Sequence, residues 1–138
     1  MEEMESSRVV IDTDILIDLL KDREQARTLI RNLEKKNHVF CTTVINVYEL
    51  YYGLHKIRQR EKRLQSTEKL LRSLPILPLT PRSAQKAGHV FAALEAKGQS
   101  FGLGDVFIAS ITLTKGYGLV TRNIDHFRKI EGLSIISP

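Results

Sequence analysis

Residues 9–18 read V-V-I-D-T-D-I-L-I-D, and the way this stretch divides decides the fold. Val9, Val10 and Ile11 form an apolar run of the kind that lies inside a parallel sheet, and Asp12 stops it. Thr13 and Asp14 then offer cap side chains for a following helix, where an acid also complements the helix dipole. A buried carboxylate is very costly unless it is paired, hydrated or bound to a metal, so Asp12 calls for a water-filled site or a cation.

Outward from this stretch the same alternation recurs. Short β-rich runs at 8–12, 38–42, 76–79, 118–121 and 133–137 are separated by segments with helical periodicity. That pattern predicts an α/β fold with a mostly parallel central sheet of about five strands. Pro75 and Pro78 place the third strand at an edge or make it irregular, because proline cannot donate to a ladder. Thr80 and Pro81 open a helix that Gly98 closes, and another begins in G-D-V-F-I-A-S and ends at Lys115-Gly116. Before both, Leu54, Ile57, Leu64, Leu71 and Leu74 mark one or two amphipathic helices among many lysines and arginines.

With 138 residues, the chain predicts a single domain over 1–138, and no repeat or flexible linker divides it. Hydrophobic residues make up 42% and charged residues 27%, and no stretch approaches the roughly 20 apolar residues of a membrane span. The acidic start, M-E-E-M-E-S-S, is unlike a secretory signal, so a cytoplasmic protein without membrane contact is expected. Cys41 is alone, which excludes an internal disulfide and fits a reducing compartment. His38, His55, His89 and His126 lack the close pairing of a zinc site and read as surface or packing residues. The net charge of +5, from 21 Lys and Arg against 16 Asp and Glu, favours a polyanionic partner without identifying one.

Further acids fall where Asp12 falls, at strand ends and helix starts. Glu49 lies in V-I-N-V-Y-E-L-Y-Y-G, on a helix whose apolar residues are Val44, Val47, Leu50 and Leu54, with Gly53 four residues on to permit a close approach. Asp105 follows Gly102 and Gly104 at the head of an almost wholly apolar helix, as cap, ligand or both. Asn123 and Asp125 follow the fourth strand run in T-R-N-I-D-H-F. In a parallel sheet such positions converge on one crevice beyond the carboxyl ends of the strands. Clustered carboxylates repel, so either some protonate or divalent cations enter, and oxygen donors without Cys or His select Mg²⁺ or Mn²⁺. Because a dication acidifies bound water enough to attack phosphorus, the chemistry expected is phosphodiester hydrolysis.

The strings V-I-D-T-D-I-L-I-D, Y-E-L-Y-Y-G, G-L-G-D-V-F-I-A and L-V-T-R-N-I-D-H-F, followed by I-E-G-L, together resemble the PIN-domain ribonucleases, in particular the VapC toxins. The resemblance runs through essentially the whole chain. It implies a three-layer α/β/α fold and an Mg²⁺- or Mn²⁺-dependent RNA endonuclease. It further implies the toxin component of a type II toxin–antitoxin pair, usually dimeric and silenced by a small antitoxin. Asp12, Glu49 and Asp105 match the family's first three acids and would hold the metal, and Thr121 matches the hydroxyl residue opening its last motif. Asp14 stands where the family has Asn or Ser. The fourth acid, usually at the positions of Asn123 or His126, is here Asp125. Asp125 would reach the site by a local shift, Asn123 would serve as a neutral ligand, or one ligand would be missing. Tyr48, Tyr51 and Tyr52 read as core or dimer contacts before base-stacking residues.

Two other readings share these residues. A haloacid-dehalogenase-like phosphatase also opens with a strand running into Asp-x-Asp, but Leu16 stands where that family has Thr or Val, and V-F-I-A-S follows the later Gly-Asp without a further acid. The other reading is a PIN module that binds RNA or antitoxin and has lost activity.

Overall fold

In the computed structural model, β1 (Arg8–Ile11) is the axis of a five-stranded sheet with order β3-β2-β1-β4-β5. Residues 7–138 are described, and the acidic start at 1–6 lies outside them. The other strands are β2 (Val39–Thr43), β3 (Ile76–Leu77), β4 (Gly118–Val120) and β5 (Ser134–Ile136). Every neighbouring pair is parallel, with Val10 opposite Cys41 on one side and Leu119 on the other. The helices are α1 (Thr13–Leu20), α2 (Glu24–Lys35), α3 (Val44–Leu54), α4 (Arg60–Arg72), α5 (Pro81–Ala96), α6 (Leu103–Lys115) and the single turn α7 (Ile124–Phe127).

Alternation along β1 builds both faces of the core. Val10 packs with Leu94, Val106, Ala109 and Leu119 toward α5 and α6, while Val9 and Ile11 pack with Ile15, Leu16, Leu33 and Leu50 toward α1, α2 and α3. The result is the three-layer α/β/α arrangement. Each fully buried Val, Leu or Ile adds about 1.5–3 kcal/mol, so the V-V-I run that ends on Asp12 is held firmly in place. Cys41 is also inside this sheet, with its thiol donating to the Val9 carbonyl at 3.4 Å.

The prolines act as expected. β3 is an edge strand of two residues, and Pro75 contributes only its carbonyl, which accepts from the Thr42 N–H at 3.1 Å. Thr80 caps α5 with Pro81 in its first turn, and Gly98 follows that helix with φ +70°. Gly116 ends α6 in the left-handed conformation at φ 72°. The 54–74 stretch resolves into the end of α3 and the whole of α4, where Leu70, Leu71 and Leu74 pack partly buried on the core. The start of α6 differs from expectation. Gly102 occupies its cap position, which puts Asp105 inside the first turn instead of at the cap. Among the described residues, no helix is long and apolar enough to cross a membrane.

Candidate active site

The parallel ladder brings the ends of β1 and β4 side by side, because the Asp12 N–H donates to the Val120 carbonyl at 2.9 Å and the Thr121 N–H to the Ile136 carbonyl at 3.0 Å. Asp12, 7% exposed, is the N-cap of α1. Its Oδ1 accepts from the Thr13 N–H at 2.8 Å and from Asn46 Nδ2 at 3.2 Å, while Oδ2 accepts from the Thr121 hydroxyl at 2.8 Å. Asp14 stands beside it. Asp14 Oδ1 accepts from the Ile15 N–H at 2.7 Å, and Oδ2 accepts from the Arg122 N–H at 2.9 Å.

Glu49 enters from α3, and the Thr13 hydroxyl donates to its Oε1. Asn46 ties the two segments together. Fully buried, it donates from Nδ2 to Thr13 Oγ1 at 2.9 Å as well as to Asp12, and its Oδ1 accepts from the Thr43 hydroxyl at 2.7 Å. Thr43 and Asn46 also form a reciprocal capping box at the start of α3. The sequence reading passed over Asn46, although a T-x-x-N spacing and one amide among valines and isoleucine were there to find it. The glycine that matters is also different. A Cβ on Gly53 would meet nothing within 4 Å, whereas a Cβ on Gly104 would lie 3.2 Å from Glu49 Oε2. Gly104, directly before Asp105, gives Glu49 its room.

Asp105 meets His126, whose Nε2 lies 2.9 Å from Oδ2. The imidazole stacks on Phe101 with ring centroids 3.9 Å apart. His126 is thus part of the candidate site, contrary to its reading as a surface or packing residue. Asp125 is not gathered with the others. Its side chain is 90% exposed and lies 3.4 Å from Arg128. Asn123 is also exposed and participates through its backbone N–H, which donates to Thr121 Oγ1 at 3.1 Å. Phe127, 1% exposed, anchors α7 and turns His126 toward Asp105 while Asp125 faces solvent. Tyr48, Tyr51 and Tyr52 are 64%, 36% and 53% exposed, so they are not core residues.

Electrostatics separate this cluster from an ordinary polar end of a sheet. Burial, with the nearby charge of Asp14 next, pushes Asp12 up from 3.8 to about 7, and Asp105 adds to the rise, against the lowering pull of the Thr121 and Thr13 hydrogen bonds. Glu49 is raised as well, first by burial, with the Thr13 bond opposing and the charges of Asp105 and Asp14 adding. Among the described residues, no Lys or Arg forms an ion pair with Asp12, Asp14, Glu49 or Asp105, and Arg122 turns instead to Asp18 at 2.8 Å. As the side chains stand, no three His, Cys, Asp or Glu groups among those residues converge on a single ion position. A small hard dication needs only one or two carboxylates and fills its remaining positions with water, so this oxygen set suits Mg²⁺ or Mn²⁺.

Residues 9–133 match the family model described as the PIN domain. The chain belongs to the PIN domain family. This PIN domain is similar to ribonuclease VapC2 of Haemophilus influenzae, with 29% identity over 126 residues that cover 91% of this chain and 94% of the relative. It is similar also to the tRNA(fMet)-specific endonuclease VapC of Salmonella typhimurium, with 28% identity over 128 residues, 93% of this chain and 96% of the relative. Among solved structures, VapBC2 from Rickettsia felis bound to a DNA fragment from its promoter superposes with TM-score 0.87 and 26% identity, covering 95% of this PIN domain and 98% of that chain. DNA-bound VapBC from Salmonella typhimurium gives TM-score 0.84 and 28% identity, with 96% and 98% covered.

Proposed function

We propose that this PIN domain is an RNA endonuclease of the VapC kind, the toxin of a type II toxin–antitoxin pair, dependent on Mg²⁺ or Mn²⁺. The observation that carries this reading is an acidic cluster, with Asp12 buried and Asp14, Glu49 and Asp105 partly buried, left without Lys or Arg partners among the described residues. The ribonuclease names of its relatives and the VapBC complexes among its structural neighbours support the same reading.

Asp12 and Asp105 would hold the dication, and Glu49 would hold it through water or orient the attacking water. When bound, the ion supplies Lewis-acid stabilisation of phosphoryl charge and acidifies water. Asp12 is fixed for this task by donors on both oxygens, which leaves it little freedom to reorient. Glu49 is suited to proton transfer, because its raised pKa strengthens it as a base and its Oε1 is already held by Thr13. Glu49 Oε2 takes a proton from the attacking water as the new phosphorus–oxygen bond forms. The bond from phosphorus to O3′ breaks, the proton taken up by Glu49 passes through solvent water to O3′, and the products are a 5′-phosphate and a 3′-hydroxyl. Asp14 and Thr121 support Asp12, and Asn123 supports Thr121 through its backbone. Asp125 stays outside the chemistry.

The partners proposed are RNA, a small antitoxin protein and a second copy of this chain, with the exposed face of Tyr48, Tyr51 and Tyr52 available for the last contact. A cytoplasmic setting without membrane contact completes the proposal. Incubation of purified protein with single-stranded RNA tests it. Cleavage in Mn²⁺ that EDTA stops and Asp105→Asn removes is the expected result. Cleavage by Asp105→Asn at the parent rate overturns the site, and RNA binding without any cleavage selects an inactive binding module. Phosphate release from small phosphomonoesters with RNA untouched selects the phosphatase.

A further inference from the structure

We infer that His126 is a positioning residue for Asp105, fixing one oxygen of that carboxylate so that the other faces the acidic crevice. A carboxylate oxygen only accepts, so the 2.9 Å contact requires a proton on Nε2, and Asp105 Oδ2 is committed to it. Oδ1 is then the oxygen left for a dication. Among the described residues, Asp105 has no other charged partner at contact distance, so the direction in which this carboxylate points is set by one ring.

That ring is itself held. Phe101 lies nearly parallel to it at 3.9 Å between centroids and 16° between planes, and Phe127 meets it edge-on at 5.4 Å and 71°. Phe127 is in turn 1% exposed and packed in the cluster beneath α5 and α6. A path of contact therefore runs from the hydrophobic core through Phe127 and His126 to Asp105. Such outer contacts orient metal-binding side chains, and their removal costs about 10–100-fold in metal affinity.

This inference rests on the metal-dependent reading above, and Mn²⁺ titration calorimetry on intact protein separates the two. His126→Phe keeps a ring between Phe101 and Phe127 but has no donor, while His126→Gln keeps an amide N–H near the place of Nε2 and loses the stack. His126→Phe should bind Mn²⁺ about 10–100-fold more weakly than the parent, with an unchanged thermal midpoint in EDTA. His126→Gln should recover most of that loss. The ¹⁵N shifts of the imidazole in metal-free parent should show a protonated Nε2. Parent-like or tighter binding by His126→Phe, His126→Gln no better than His126→Phe, or an unprotonated Nε2 overturns the role. A parent that binds no Mn²⁺ at all overturns the metal-dependent reading, and this role with it.

Discussion

The two sides of the crevice are built in different ways. On the β1 side, Asp12 accepts hydrogen bonds from Thr13, Asn46 and Thr121, all of them fixed by the backbone ladder or by a buried helix start. On the α6 side, Asp105 has one side-chain partner among the described residues, a histidine wedged between two phenylalanines. One carboxylate is placed by a polar network and the other by aromatic packing. The difference teaches that a cluster of like charges can be assembled from unrelated forces, provided that none of them introduces a neutralising Lys or Arg.

The sharpest break in this comparison comes from deleting charge on the aromatic side. Asp105→Asn should cut RNA cleavage by at least about a hundredfold with the far-ultraviolet circular dichroism unchanged, since Asp105 contributes charge to the site and little to the fold. A variant that unfolds would show that the α6 side is structural after all.

On the polar side, the corresponding deletion acts on stability. Asn46→Ala leaves Asp12, Thr13 and Thr43 each short of a buried partner, and urea unfolding should register a loss of about 2–3 kcal/mol. A loss below about 0.5 kcal/mol would mean that the network is not what secures α3 against β1.

Asp12 sharpens the contrast through pH. Its pKa is raised in the fold to about 7 from 3.8, so between those values the folded state holds a proton that the unfolded chain has released. The stability that Asp12 contributes is therefore fully present at low pH and lost as pH rises through about 7. In EDTA the parent should melt at a higher temperature near about pH 5 than near about pH 8, and Asp12→Asn should flatten that slope and melt higher at the alkaline end. A parent profile that rises with pH over this window would refute the assignment. Added Mn²⁺ should restore the parent at alkaline pH by binding only the folded state.

Smaller effects mark the boundary of the crevice. Gly104→Ala would place a methyl group 3.2 Å from Glu49 Oε2, so the turnover number should fall several-fold while the melting temperature hardly moves. Asp125→Asn touches only an exposed pair with Arg128 and should leave cleavage within about twofold. A large loss in Asp125→Asn would put the fourth carboxylate back into the site.

Much of this architecture was legible because it is local. Strand runs closed by Asp12 and by Thr121, the edge role of the Pro75 strand, and the cap at Thr80 all depend on residues adjacent in the chain. The contacts that were not legible cross between elements. Nothing in the spacing of Asn46 says that α3 packs where its amide reaches both Asp12 and Thr13. Gly53 suited a close approach by its helical register, yet the neighbour of Glu49 is Gly104, four elements later in the chain. Asp125 and His126 are consecutive on a helical turn, about 100° apart, so the buried anchor Phe127 decides which of them faces the crevice. Charge type alone favoured Asp125, and packing gave the place to His126.

Cys41 supplies a chemical clock for all of these experiments. Cys41 stands beside Val10 on the neighbouring strand, and burial pushes its thiol up to about 11, so almost no thiolate is present or reachable while the strands stay paired. Because it is the chain's lone cysteine, a thiol-reactive dye can attach in one place only, and the rate of attachment counts openings between β1 and β2 without any engineered label.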